Sequence, residues 1–156
     1  MEPMLQSKES LRNIDACEPL EIALIELTKL RAHERVDLAH LKQLAREIES
    51  DKILKFAIAV DKDTRIILDG HHRLGALREL GCKRIPVTFV NYRESQIKVK
   101  SWRNGYKVTK KMVIEAGLSK KKLPPKTSKH MVVANGKLEH ILAIEKKVDF
   151  PLKRLT

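Results

Sequence analysis

The hexapeptide Leu68-Asp69-Gly70-His71-His72-Arg73 gathers an acid, two imidazoles and a guanidinium onto one short segment. The apolar run Arg65-Ile66-Ile67-Leu68 leading into it predicts a strand, and Leu74-Gly75-Ala76-Leu77-Arg78-Glu79-Leu80-Gly81 beyond it predicts a helix. A helix that starts at such a turn points unpaired N–H groups outward, where an anion can dock, and Arg73 adds a planar fork suited to phosphate oxygens. Asp69, just ahead, is placed to hold a metal ion or to orient a reacting group. A plain strand-turn-helix connection with solvated polar residues has the same local pattern, so the turn alone leaves both uses open.

The flanking sequence shows what must position this turn. Glu21 to Leu27 is short and rich in branched apolar residues, which predicts a strand, and the polar stretch Thr28 to Arg35 connects it to a helix capped by Asp37. Leu38, Leu41, Leu44, Ala45 and Ile48 follow the helical period and define a buried stripe. Phe56-Ala57-Ile58-Ala59-Val60 and Arg65-Ile66-Ile67-Leu68, separated by Asp61-Lys62-Asp63-Thr64, predict a hairpin. The helix from His71 to Leu80 closes at Gly81, and Ile85 to Val90 follows as a strand whose Pro86 argues for a place at the sheet's edge or its entry. Ile97 to Trp102 alternates apolar with polar, as a half-exposed strand does. Further on, Thr109 caps a short helix over Lys110 to Ala116 ended by Gly117, Ser119 to Pro125 forms an extended linker, and Asn135-Gly136 turns a hairpin after Met131-Val132-Val133-Ala134. Leu138 to Lys146 fits either helix or strand.

A chain of 156 residues, 42% of them apolar, is long enough for a real core and favours one domain or one domain with a small appendage. No apolar run approaches the roughly 20 residues that cross a bilayer, and Met1 to Lys8 lacks the basic-then-apolar order of a secretion signal. The expectation is a soluble, cytoplasmic protein without a membrane partner. Cys17 and Cys82 have no metal-like spacing and are read as free thiols. The net charge is +12, and it is uneven: between Lys98 and Lys129 stand eleven Lys or Arg against the single acid Glu115. Such a field attracts nucleotides, acidic metabolites and nucleic acids, and it does not choose among them.

Ile67 to Arg73, the Leu-Gly-punctuated helix after it and Ile85-Pro86-Val87 together resemble the ParB and sulfiredoxin superfamily, and within it the free serine kinases. His33-Glu34 after the first strand, Ser101-Trp102 after the fourth strand-like segment, and Pro124-Pro125-Lys126-Thr127-Ser128-Lys129-His130 support the narrower match. The resemblance runs from about Leu20 to the C-terminus. It implies an α/β (α+β) fold: a mixed sheet with flanking helices, an N-terminal arm (1–19), a nucleotide-binding core (20–102) and a basic C-terminal extension (103–156) that completes the substrate site.

The activity it implies is transfer of a phosphoryl group from ATP or ADP to the hydroxyl of free L-serine, giving O-phosphoserine. Carried over residue by residue, Glu34 takes the serine proton, and Asp69 supports the reaction or its Mg²⁺. Gly70, His71, His72 and Arg73 hold the nucleotide phosphates, while Trp102, Thr127 and His130 line the serine pocket with Lys126 close by. The chemistry is compatible, because phosphoryl transfer asks a protein chiefly for positioning, charge neutralisation and one well-placed carboxylate. One departure stands out: only about twenty residues separate Trp102 from Pro124, where the better known serine kinases carry a larger helical insertion.

Other readings weigh differently. A sulfiredoxin needs a cysteine directly before its His-Arg pair, and His71 occupies that place. A ParB-like DNA-binding or nucleotide-switch protein suits the basic 98–129 stretch. Against it, His71-His72-Arg73 stands in place of the Arg-rich turn of partition proteins, and the chain after Trp102 is short for a helix-turn-helix domain. A nuclease would need a set of metal carboxylates that the motif does not show.

Overall fold

The computed structural model describes residues 22–156, so the expected arm at 1–19 lies outside the described residues. Strand β1 (Ile22–Glu26) leads through a polar connection to α1 (Leu38–Asp51), whose Asp37 carboxylate accepts from the Ala39 and His40 amides as the sequence predicts. Then come β2 (Ile53–Phe56), β3 (Ile58–Asp61), β4 (Ile67–Asp69), α2 (His71–Glu79) and β5 (Arg84–Val90). The chain continues with β6 (Ile97–Ser101), α3 (Lys110–Gly117), β7 (Ser128–Ala134), β8 (Lys137–His140) and β9 (Lys147–Pro151).

Four strands form a mixed sheet in the order β1-β5-β3-β4, with only the β3–β5 pair parallel. Alternation along its strands divides the core in two. Ile58, Val60 and Ile67 face the α1 and α2 side, with Ala45, Ile48, Leu74 and Leu77. Ala59, Ile66 and Leu68 face the opposite side, with Ile97, Val113, Val132 and Ile141 of the later segments. A strand buried on both faces reads as an unbroken apolar run, which is why β3 and β4 show no polar alternation in the sequence.

A second sheet, β6-β7-β8, takes one strand from before Trp102 and two from after it. The 102/103 boundary drawn from the sequence therefore falls at the end of a strand of that sheet. Four local features settle or correct the sequence reading. Strand β5 is internal, so of the two places open to Pro86 the entry holds and the edge does not: pairing with β3 begins at Val87, one residue after Pro86, and the missing proline N–H precedes the ladder on that side. Leu38, counted in the apolar stripe, is 66% exposed because it occupies the first helical position. Residues 138–146 split into β8 and a 3-10 turn, Ile141–Ile144. Finally, β2 is a separate strand that pairs with β9. Each partner lies far away in the chain, and local periodicity carries no trace of it.

The junction between β4 and α2 is sterically tight. Gly70 has φ +113°, and a Cβ there would collide with Ile58 of the neighbouring strand. Gly75, one turn into α2, likewise leaves no room for a side chain beside Leu41 of α1. Gly70→Ala therefore combines backbone strain with overpacking. It is expected to lower stability by about 3 kcal/mol, read as a shift in the urea unfolding midpoint.

Candidate active site

Glu34 belongs to the connection between β1 and α1, and two short backbone pairings hold this connection in place. Arg31 bridges to the start of β4, with its N–H donating to Arg65 O at 2.9 Å and its carbonyl accepting from Ile67 N–H at 2.8 Å. Glu34 pairs with Leu123, where the Leu123 N–H donates to His33 O and the Arg35 N–H to Leu123 O, both at 2.8 Å. The 119–125 stretch thus serves as a strut that brings the start of β7 over Glu34.

The Glu34 carboxylate is 8% exposed and sits in a cradle of backbone amides. Oε1 accepts from Thr127 N–H at 3.1 Å, Ser128 N–H at 2.9 Å and the Ser128 hydroxyl at 2.9 Å, while Oε2 accepts from Lys126 N–H at 3.2 Å. Three successive amides can converge on one carboxylate because Lys126 adopts a left-handed backbone, φ +55°. Burial pushes the Glu34 carboxyl up from its ordinary value, and the amides and the serine hydroxyl pull against that rise.

Glu34, Asp69, Gly70, His71, His72, Arg73, Trp102 and Lys126 all line one cleft of about 620 Å³. The β4–α2 turn and Glu34, well separated in sequence, thus face the same space. No side chain caps α2, so its first turn presents backbone donors to this cleft. His71 Nε2 accepts from the His33 N–H at 3.2 Å and His72 Nε2 from the Asp37 N–H at 3.0 Å, tying the turn to the segment that carries Glu34.

Arg73, expected as a free fork for phosphate, is engaged within the protein. Its NH1 donates to Ala57 O at 2.9 Å, and its NH2 pairs with Asp69 Oδ2 and Glu145 Oε1, each at 3.0 Å. The Glu145 carboxyl is buried, and desolvation pushes its pKa up to about 8 despite the Arg73 charge. Trp102 stands half-exposed at the cleft rim, with the Lys129 ammonium 4.4 Å from its ring centre.

Two predicted site residues sit behind the cleft wall and do not line it. Thr127 is fully buried and its hydroxyl donates to Pro124 O at 2.6 Å, while His130 Nε2 meets the Tyr92 hydroxyl at 2.8 Å. Conversely, sequence reasoning missed Ser128, His40, His140 and Glu145. Ser128 is an unremarkable hydroxyl between Thr127 and Lys129. Glu145 ends the run Ile141-Leu142-Ala143-Ile144 ahead of two lysines and reads as a solvated acid. Two cations of the basic stretch are also held internally: Lys110 Nζ donates to Tyr92 O and Glu94 O, and Lys122 Nζ to Ala116 O and Ser119 O.

His71, at the cleft wall, packs edge to face on His33, which with His130 lies behind it; the His33 ring centre is 4.6 Å from that of His71 and 5.7 Å from that of His130. Burial holds the His33 pKa down to about 4, and it holds His71 and His130 well below the ordinary histidine range. A histidine whose folded pKa lies below its unfolded one stabilises fully above about pH 6.5 and loses that contribution as pH falls toward the folded value. Glu145 and Glu34 are shifted upward and act in the opposite sense, but three histidines outweigh two carboxyls. The urea midpoint is therefore expected to fall between pH 6.5 and 4.5, and to fall less steeply in His33→Asn.

No protein-family model matches the chain. It is 34% identical over 87 residues to the ATP-dependent L-serine kinase of Staphylothermus marinus, a match covering 53% of this chain and 34% of that protein. It is 35% identical over 100 residues to the ATP-dependent L-serine kinase of Desulfurococcus mucosus, covering 62% of this chain and 39% of that one. The matched segment thus spans well under half the length of these curated relatives. A free serine kinase solved in complex with AMP superposes with a TM-score of 0.72 at 17% identity, over 89% of this chain and 95% of that chain. At that identity the shared property is the fold. In sequence over 53–62% of its length this chain is similar to L-serine kinases, and over 89% of its length its fold is that of a solved free serine kinase.

Proposed function

We propose that this protein transfers a phosphoryl group from ATP or ADP to the hydroxyl of free L-serine, giving O-phosphoserine. One observation carries the reading: a buried carboxyl of raised pKa, Glu34, opens into the same cleft as the uncapped start of α2. The volume of about 620 Å³ falls in the range of small-molecule sites. The sequence relatives named as L-serine kinases point to the same chemistry.

In this reading the nucleotide phosphates lie against the first turn of α2, where the amides from Gly70 to Arg73 and the helix dipole neutralise charge. His71 is neutral at ordinary pH and contacts phosphate without competing as a base. Arg73 acts as an anchored positive charge, either from its present place or by exchanging Asp69 for phosphate. Serine lies between Trp102, Lys126 and Glu34. The serine oxygen attacks the terminal phosphorus, its proton passes to Glu34, and the bond to the departing nucleotide breaks. Thr127 and His130 hold β7, and with it the amide cradle, from behind.

Among the described residues no group of three or more His, Cys, Asp or Glu is arranged to hold a metal. That fits Mg²⁺ carried by nucleotide phosphates, which needs only one or two carboxylates, and Asp69 is placed to supply one. Bound there, the ion would neutralise charge on the transferring group.

The test is incubation with Mg²⁺, ATP or ADP, and L-serine, with O-phosphoserine as the readout. Glu34→Gln keeps the shape and is expected to lower kcat by about 10²- to 10⁴-fold with little change in KM. Absence of product with either donor overturns the proposal. Trp102→Ala is expected to raise the KM for serine more than it lowers kcat, measured by the same assay.

A further inference from the structure

The hydrogen bonds around Ser128 do not add up for any single orientation of its hydroxyl. Oγ lies 2.9 Å from Glu34 Oε1 and 2.7 Å from His33 Nε2, and a serine hydroxyl has one hydrogen. The state of His33 is set from its other side: Nδ1 lies 2.7 Å from Ile67 O, and a carbonyl only accepts, so Nδ1 carries the hydrogen. Burial keeps the ring neutral at ordinary pH. Nε2 therefore presents a lone pair, as does the ionised Glu34, and the two compete for one donor. An ionised carboxylate is the stronger acceptor and a neutral carboxyl the weaker one.

We propose that Ser128 and His33 are positioning residues that let Glu34 change protonation state without stranding the Ser128 hydroxyl. The hydroxyl donates to Glu34 while the carboxylate is ionised, and it turns to His33 Nε2 once Glu34 holds the substrate proton. The proposal rests on the reading of Glu34 as the base. The incoming proton goes to Oε2, which carries only the Lys126 amide, whereas Oε1 is already occupied by two amides and the hydroxyl. The Ser128 hydrogen never leaves Ser128; it only rotates. A buried base thereby keeps its hydroxyl neighbour paired on both sides of the transfer, and little reorganisation opposes the step.

Apart from His33 itself, which burial keeps neutral at ordinary pH, the charged and titratable neighbours are the same in every variant proposed. Glu34 shares the cleft with His40, Asp69, His71, His72, Arg73, Lys126 and His140, and His33 faces His71, His130 and Lys122. Differences between variants therefore report the hydroxyl.

The experiment is a titration of the Glu34 side-chain carboxyl by ¹³C NMR in the full chain, without nucleotide or serine. Ser128→Ala removes a donor to the ionised form and is expected to raise the Glu34 pKa by about one pH unit. In His33→Asn the amide takes over the Nδ1–H role toward Ile67 O and deletes the competing acceptor. The hydroxyl is then left to Glu34, so the Glu34 pKa falls, by roughly half a pH unit. The double variant is expected to match Ser128→Ala, because His33 acts only through the hydroxyl. Shifts of the same sign in the two single variants, or additive shifts in the double variant, overturn the proposal.

If His33→Asn fails to fold, ¹⁵N NMR of His33 in the wild type takes its place. The Nε2 resonance is expected to move as Glu34 titrates and to stop doing so in Ser128→Ala; an Nε2 resonance blind to Glu34 overturns the proposal. These titrations do not depend on turnover, so their failure is distinguishable from failure to form O-phosphoserine.

Discussion

A carboxylate removed from water must be given hydrogen-bond donors, and at Glu34 this requirement governs the architecture of the site. The donors come from residues 126–128, which reach Glu34 only because Leu123 pairs with the 33–35 backbone and Lys126 takes a left-handed turn. The same connection is tied on its other side to the start of β4 through Arg31. Glu34 is thus held between the two halves of the chain. The cleft exists because the β4–α2 junction opens beside that seam.

The arginine of the junction follows a related logic. Arg73 pairs with Asp69, hydrogen-bonds the buried Glu145, whose carboxyl is pushed up to about 8, and also satisfies the carbonyl of Ala57, so it fastens the segment after β8 to the turn. Removing the guanidinium would leave Asp69 and Glu145 facing each other without a donor cation in a low-dielectric pocket. The positive charge at the cleft is consequently fixed in place, as preorganised stabilisation of transferring phosphate requires. The basic stretch after Lys98 is likewise not a uniform field. Lys110 and Lys122 bind backbone carbonyls and help shape the second core, Lys126 and Lys129 stand at or near the cleft, and the remaining charge faces solvent.

Much of the fold was legible locally. Asp37 as a cap, the hairpin about Asp61 to Thr64, the turn at Asn135-Gly136 and the helix after Gly70 are all written in short-range chemistry: capping oxygens, turn formers and helical period. The resemblance to serine kinases rested on the same kind of compact motif. What was not legible depends on partners far along the chain. The interior place of β5, the pairing of β2 with β9 and the orientation of Arg73 toward Glu145 leave no mark on nearby residues.

The sequence by itself determined which groups are available for chemistry, Glu34 and the Asp69 to Arg73 turn among them, because residue type and local spacing are covalent facts. Only the tertiary structure decided which of these groups share a space and in what protonation state. It set Glu34 in the amide cradle, turned Thr127 and His130 away from the cleft, and brought Ser128 to the buried acid and His33 to Ser128. The physical reason is that burial and hydrogen bonding set the acidity and orientation of a side chain, and both arise from segments that meet only when the two cores close against the central sheet.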